Sequence, residues 1–211
     1  MFTTSKENIL KKIRKALSES TPLPFPKSEG SDSVFQPASQ ESEVEFAEQF
    51  TKLQGRFIYC INEQELAFQL NSLVMKMDWQ KVYCLEDKLM PAMPPEFMGR
   101  IVKDDLAGCD VSITGCEALV ARTGSIVMSA AQQSGRNTSV YAPIHICIAR
   151  TSQLVYDVRD ALLLVKEKYR ERLPSLITFA TGPSRTADIE KTLVVGVHGP
   201  KEVYVLLVET L

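Results

Sequence analysis

RFIYCINEQELAFQLNSLVMKMDWQKVYCL, residues 56–85, decides the fold. Arg56 to Ile61 is a short apolar run of strand character, residues 63–77 read as a helix, and residues 81–85 return to strand. The alternation continues downstream with an irregular Met/Pro-rich segment at 89–98, a strand at 109–113 and a turn or short helix at 114–121. Strands at 124–129 and 139–149, a helix near 157–171 and two final strands, Ser175–Ala180 and the apolar run within Lys201–Glu209, complete it. Strands separated by helices predict a largely parallel sheet covered on both faces, an α/β domain of Rossmann-like layering.

Upstream of this stretch, Glu41 to Leu53 reads as a helix with Val44, Phe46, Ala47, Phe50 and Leu53 as its apolar positions and Gly55 as its stop. Residues 19–40 carry Pro22, Pro24, Pro26, Gly30 and Pro37 among several serines, a composition for a linker or wrapping arm. Before it, residues 1–18 hold a short basic amphipathic helix: Ile9, Leu10, Ile13 and Leu17 share one face and the lysines the other. That stripe suits docking on this protein or a second copy, and a membrane-surface or partner-binding role stays open. The expected organisation is therefore helix 1–18, arm 19–40 and one α/β domain at 41–211.

A 211-residue chain with 45% hydrophobic and 24% charged residues is ordinary for a globular protein. Its formal net charge of −2 gives no overall reason to expect nucleic acid. Five cysteines, odd in number and mostly set in apolar runs, fit buried free thiols in a reducing compartment. No Cys-x-x-Cys pair occurs, so a zinc ribbon, a redox dithiol and a ferredoxin-type cluster are all poorly supported. Two histidines, His145 and His198, do not make a His-rich metal site, and no metal is expected. With no secretory signal pattern and no apolar run long enough to span a membrane, the chain reads as cytoplasmic.

Chemistry concentrates in Thr181-Gly182-Pro183-Ser184-Arg185-Thr186-Ala187-Asp188-Ile189-Glu190 and in Gly196-Val197-His198-Gly199-Pro200, which lie between apolar runs read as core strands. Ligands of open α/β sheets bind in loops outside the carboxyl ends of strands, which makes this the leading site. Ser184 supplies a hydroxyl donor or nucleophile, Arg185 a bidentate partner for a carboxylate or phosphate, and Asp188 and Glu190 acid, base or metal-ligand candidates. An internal network in which Arg185 pairs with Asp188 is the structural alternative. His198 fits a general acid/base or a turn-stabilising hydrogen bond equally well. Thr114-Gly115 and Thr123-Gly124-Ser125 form a second pattern, either close-approach donors for an anion or plain tight turns. His145 is a core histidine or a site residue reached from the sheet edge, and Arg136 sits in a polar loop at 134–138. Ser184 stands in Gly-Pro-Ser-Arg and not in a Gly-x-Ser-x-Gly elbow, so a serine-hydrolase reading gains no support. Neither nucleotide-binding glycine fingerprint is present.

At residues 181–190 and 196–200, and more loosely at Thr114–Met128 and Pro143–Ile148, the sequence resembles the lactate-utilisation (LUD) domain family, in particular its small C-type subunit. The resemblance spans roughly residues 41–211, with a looser likeness in the basic helix and proline-rich arm. It implies a three-layer α/β/α sandwich similar to the sugar-phosphate isomerase and CoA-transferase group. It further implies a part in oxidising L-lactate to pyruvate beside separate subunits that carry iron–sulfur clusters, with no cluster or other cofactor in this chain. Under that resemblance the pocket would take a small carboxylate or another anionic ligand. Arg185, Thr181, Gly182, Thr123 and Gly124 would bind it, and His198, Asp188 and Ser184 would carry any chemistry. Many family members have an acidic residue where this chain has Arg122, which alters either that chemistry or the preferred ligand charge. A stand-alone isomerase or CoA-transferase-like enzyme, and a structural assembly subunit, are the competing classes.

Overall fold

The computed structural model describes residues 5–18, 37–38, 40–186, 194–196 and 198–210. They fall in two units, a helix α1, Ser5–Ser18, and a body that begins at Pro37. Ile9, Leu10 and Ile13 of α1 are exposed. Of the predicted arm at 19–40, only residues 37, 38 and 40 are described.

A six-stranded parallel sheet forms the centre of the body. Numbered along the chain, its strands are β1 (Arg56–Cys60), β2 (Val82–Tyr83), β3 (Ile101–Val102), β4 (Val111–Thr114), β7 (Ile144–Arg150) and β12 (Glu202–Val208). Their spatial order is β1-β12-β7-β4-β2-β3, and every pairing is parallel. The two longest strands, β7 and β12, lie side by side, with Glu202 opposite Ile144 and Val208 opposite Arg150. Because strand side chains alternate between faces, β12 divides its apolar run between two cores. Tyr204, Leu206 and Val208 join Ile146 and Ile148 on one side, and Val203, Val205 and Leu207 join Cys147 and Ala149 on the other.

The first core is roofed by α3, Glu63–Met77, through Leu66, Leu70 and Val74, and by Phe97 of the short α4, Pro95–Met98. Local chemistry places α3: the Asn62 side chain accepts from the Glu65 amide at 2.9 Å, and the Glu65 carboxylate accepts from the Ile61 amide at 2.9 Å. Asp78 then stops the helix in the left-handed region. Residues 63–77 are thus the helix that the sequence predicts.

On the opposite face lies α2, Ser42–Lys52, whose Phe46 and Phe50 rings stack 5.4 Å apart and are fully buried. Each ring contributes about 1.5–3 kcal/mol relative to an exposed position. Beside α2 sits a second, four-stranded sheet in the order β8-β5-β6-β9, made of Leu154–Val155, Ala118–Val120, Ser125–Ser129 and Ile177–Ala180. Its outer face packs Ala118, Val120 and Val127 on Ala161 and Val165 of α6, Val158–Tyr169. The Asp157 carboxylate starts α6 by accepting from the Arg159 amide at 3.0 Å. A central parallel sheet flanked by helices is the fold class that the sequence predicts.

Three local expectations change. The turn or short helix expected at 114–121 contains strand β5, followed by a 3₁₀ turn at Ala121–Thr123. The strand expected at 139–149 begins only at Ile144; Thr138–Tyr141 form a helical turn, α5. Pro143 accounts for the break, since it forces Ala142 into an extended conformation and cannot donate to a ladder. Finally, Ser175–Ala180 is not a strand of the central sheet. Ile177–Ala180 is the half-buried edge of the small sheet, paired antiparallel with β6.

Candidate functional site

The two polar motifs meet at one place. Thr181 follows the carboxyl end of β9, while Gly199 and Pro200 lead into β12, so the motif lies at the amino edge of the central sheet. The expectation of a loop between two strands and outside a carboxyl end holds at β9, but β7 and β12 of the central sheet begin here. Backbone hydrogen bonds lock the segments: the Ser184 amide donates to the Pro200 carbonyl and the Gly196 amide to the Ser184 carbonyl, each at 2.9 Å. The Lys201 amide donates to the Pro143 carbonyl at 2.8 Å. A small hairpin, β10 (Arg185–Thr186) with β11 (Val194–Val195), rises from this junction. Asp188 and Glu190 fall beyond its described residues.

Two adjoining cavities open at the junction, of about 280 and 450 Å³. The smaller is lined by polar groups from Ser139, His145, Thr178, Thr181, Ser184 and His198, over an apolar floor that includes Met128 and Val203. The larger shares His198 and Gly199 with it and adds Tyr141 and Lys201. His198 is exposed and stands between the two. His145 is buried, and its Nε2 lies 2.8 Å from the Thr114 hydroxyl. Burial lowers its pKa to about 4, so it is a neutral imidazole at physiological pH. Next to it in register, the Ser112 hydroxyl is buried without a hydrogen-bond partner.

Of the residues singled out in the sequence, Thr181, Gly182, Ser184 and His198 line the smaller cavity together. Thr123 and Gly124 do not line it. The Thr123 hydroxyl meets Ser125 Oγ at 2.7 Å, and Ser125 Oγ meets Thr181 Oγ1 at 2.9 Å, a hydroxyl chain that ties the two motifs. Gly124 has φ +59°, and a Cβ there would fall 2.5 Å from the Phe50 backbone nitrogen. Its glycine serves the close approach of α2 and not of an anion. Arg185 likewise turns from the cavity, its Nη2 donating to the Leu53 carbonyl at the end of α2 at 2.5 Å. Arg122 pairs with Asp157, Nε to Oδ2 at 2.6 Å, and so braces the start of α6. Arg136 donates to the Ser175 hydroxyl at 2.5 Å.

Ser139 and Thr178 are lining residues that no motif announces; only the folded junction of α5 with β9 brings them in. All five cysteines are free and buried. Burial pushes the thiols of Cys60, Cys84 and Cys109 up to about 11. A hydrogen bond with Cys116, reinforced by burial, raises that of Cys147. None of these four is a ready thiolate nucleophile. Among the described residues no cluster of three or more His, Cys, Asp or Glu side chains is placed to hold a metal ion.

A protein-family model described as LUD domain matches residues 80–208, a stretch that runs from just before β2 to the end of β12. Lactate utilization protein C of Deinococcus radiodurans is 37% identical over 105 residues, covering 49% of this chain and 49% of that protein. Lactate utilization protein C of Bacillus subtilis is 37% identical over 101 residues, 46% of this chain and 42% of that one. The chain thus spans about half the length of the curated relatives it matches. A crystal structure of a DUF162 family protein from Deinococcus radiodurans shares the fold, with a TM-score of 0.59 at 22% identity over 82% of this chain and 99% of that one. Because the family match takes in more than half of the chain and every residue that lines the smaller cavity, the chain belongs to the LUD domain family.

Proposed function

We propose that this chain is the non-cluster subunit of a lactate-utilisation system that oxidises L-lactate to pyruvate in the cytoplasm, beside partner subunits that carry iron–sulfur clusters. The observation that carries the reading is its identity of 37% with lactate utilization proteins C from two bacteria, joined to a family match that spans the amino-edge groove. Among the described residues no helix is long and apolar enough to cross a membrane. Two electrons and two protons leave lactate in this reaction; the electrons pass to the partners' clusters, so this chain needs no cofactor of its own.

In this reading the groove takes a small carboxylate or the partner surface that presents it. His198, exposed between the two cavities, accepts one of the two protons, and Ser184 offers a hydroxyl beside Gly199. Arg185 is occupied at the Leu53 carbonyl, so among the described residues Lys201, which lines the larger cavity, is the cation available to an anionic ligand. The test isolates the tagged protein from its own cells grown on L-lactate and measures lactate-dependent dye reduction. We expect cluster-bearing partners to accompany it, and His198→Ala to lower turnover by about a hundredfold or more, the usual worth of a positioned acid/base. Absence of both partners and lactate-dependent reduction refutes the proposal. Full turnover by His198→Ala in an intact complex removes the proton role and leaves an assembly subunit.

A further inference from the structure

The carboxyl edge of the central sheet holds a second polar cavity, of about 210 Å³, lined by Lys88, Leu89, Gly115, Ile148, Arg150 and Gln153. It opens past the ends of β4 and β7, where open parallel sheets bind ligands. The groove described above does not reach it, although Gly115 and Ile148 fall in the two looser LUD stretches.

Beneath it lies Glu86, only 1% exposed. Its Oε1 accepts from the Gly115 amide at 2.9 Å. Its Oε2 lies 3.1 Å from Lys88 Nζ yet takes part in no hydrogen bond. Both that oxygen and the ammonium overhang Gly115, 3.0 and 3.1 Å from where a Cβ would stand, so a side chain there would crowd both. A buried carboxylate is costly unless its lone pairs are filled. The same protein shows the filled arrangement at Glu117, 3% exposed, which accepts from Ser129, Tyr169 and Lys168 at 2.6 to 2.7 Å. Glu86 has a smaller complement: its second oxygen is buried behind Gly115 and Lys88 of the cavity wall and has only the Lys88 ammonium beside it.

Two cations stand around the same space. Lys88 is half-exposed, and Arg150 pairs with Glu63 through Nη1, which leaves the other face of its guanidinium for a second anion. The Gln153 side chain is held by the Arg150 amide at 2.9 Å and the Cys116 carbonyl at 2.6 Å, which fixes the wall. Leu89 and Ile148 supply an apolar side. A cavity well below the roughly 300 Å³ of drug-sized pockets suits a ligand of few heavy atoms.

We propose that this cavity binds a small α-substituted carboxylic acid: its carboxylate lies between Lys88 and Arg150, and its α-hydroxyl or α-ammonium group donates to Glu86 Oε2. The site is independent of the lactate reading, since any short acid with a donor next to the carboxylate satisfies it. Glu86 selects for the donor, while the two cations bind the charge common to all such acids.

Calorimetric titration of the full chain with glycolate, L-lactate, L-alanine and propionate tests it. At least one of the first three binds about tenfold or more tightly than propionate, which has no α-donor. Glu86→Gln erases that preference but keeps propionate affinity, which also reports that the variant is folded; Lys88→Met weakens every acid. Alanine above glycolate identifies an amino acid site, and the reverse a hydroxy acid site. Glycolate bound with L-lactate excluded upholds the cavity and counts against lactate as its ligand. No binding of any acid, or a preference unchanged in Glu86→Gln, overturns the proposal even if the lactate-oxidising complex proves real.

Discussion

Replacing Glu117 by Gln removes one charge and one acceptor oxygen from the interior and keeps the shape. The carboxylate is buried between β5 and α6, with Ser129 Oγ at 2.6 Å and Tyr169 Oη at 2.7 Å on one oxygen and Lys168 Nζ at 2.7 Å on the other. Burial alone would raise its pKa, but hydrogen bonds from Lys168, Ser129 and Tyr169 outweigh it and leave the carboxyl below its ordinary 4.5. A glutamine keeps the shape, but its amide nitrogen cannot accept, so at least one charge-assisted hydrogen bond is lost, about 1.5–3 kcal/mol. Glu117→Ala leaves all three donors without their acceptor and costs about 3 kcal/mol, the low end for breaking a buried pair, because Lys168 is 52% exposed and can rehydrate. Urea unfolding followed by the fluorescence of Trp79, the single tryptophan, reads both values. The sign with pH is fixed by the depressed pKa: the wild-type advantage over Glu117→Gln is complete above about 4.5 and closes as pH falls through the folded value. An advantage under about 0.5 kcal/mol at neutral pH, or one that persists unchanged in acid, would refute the reasoning.

Acid should also act through His145, in a different window. Its folded pKa of about 4 lies below the ordinary 6.5, so the unfolded chain takes up a proton first and stability falls as pH drops from about 6.5 to about 4. The slope approaches 1.4 kcal/mol per pH unit, and His145→Asn should flatten it; an identical pH profile for the variant would place the titration elsewhere. Gly124→Ala meets both a positive φ of 59° and the backbone of α2, whereas Gly135→Ala meets a φ of 67° in open space. Thermal melts should show Gly124→Ala losing clearly more than the roughly 1–2 kcal/mol of a left-handed residue, and equal losses would mean that α2 yields freely.

The central alternation was legible because α3 has a sharp start at Asn62 and a stop at Asp78, and because β1, β7 and β12 are continuous apolar runs. What periodicity does not encode is partnership. Val127 and Val205 look alike in sequence, yet one belongs to the small sheet and packs on α6, while the other belongs to the large sheet and packs with Phe46 and Phe50. The same holds for the site. Thr181, Ser184 and His198 converge as their polar, glycine-rich context suggests, but Arg185 is drawn off by a carbonyl 132 positions upstream in the chain. Glu86 carries no motif at all; only the fold shows that one of its oxygens lacks a hydrogen bond.

Helix α2 gives this a last consequence. It lies wholly before residue 80, where the family-model match begins, yet its Phe46 and Phe50 sit at the heart of one core, the Leu53 carbonyl at its end accepts from Arg185, and Gly182 passes close to the same carbonyl. β1, equally outside that boundary, covers the flank of β12 through five paired residues. The segment that the family model marks is therefore smaller than the packed unit it belongs to. A chain begun at residue 80 would bare an apolar trench along α2's vacated bed and an unpaired strand beside it. The motif loop would survive in such a fragment as letters without a position, because the helix that gives it one belongs to the less recognisable part of the molecule.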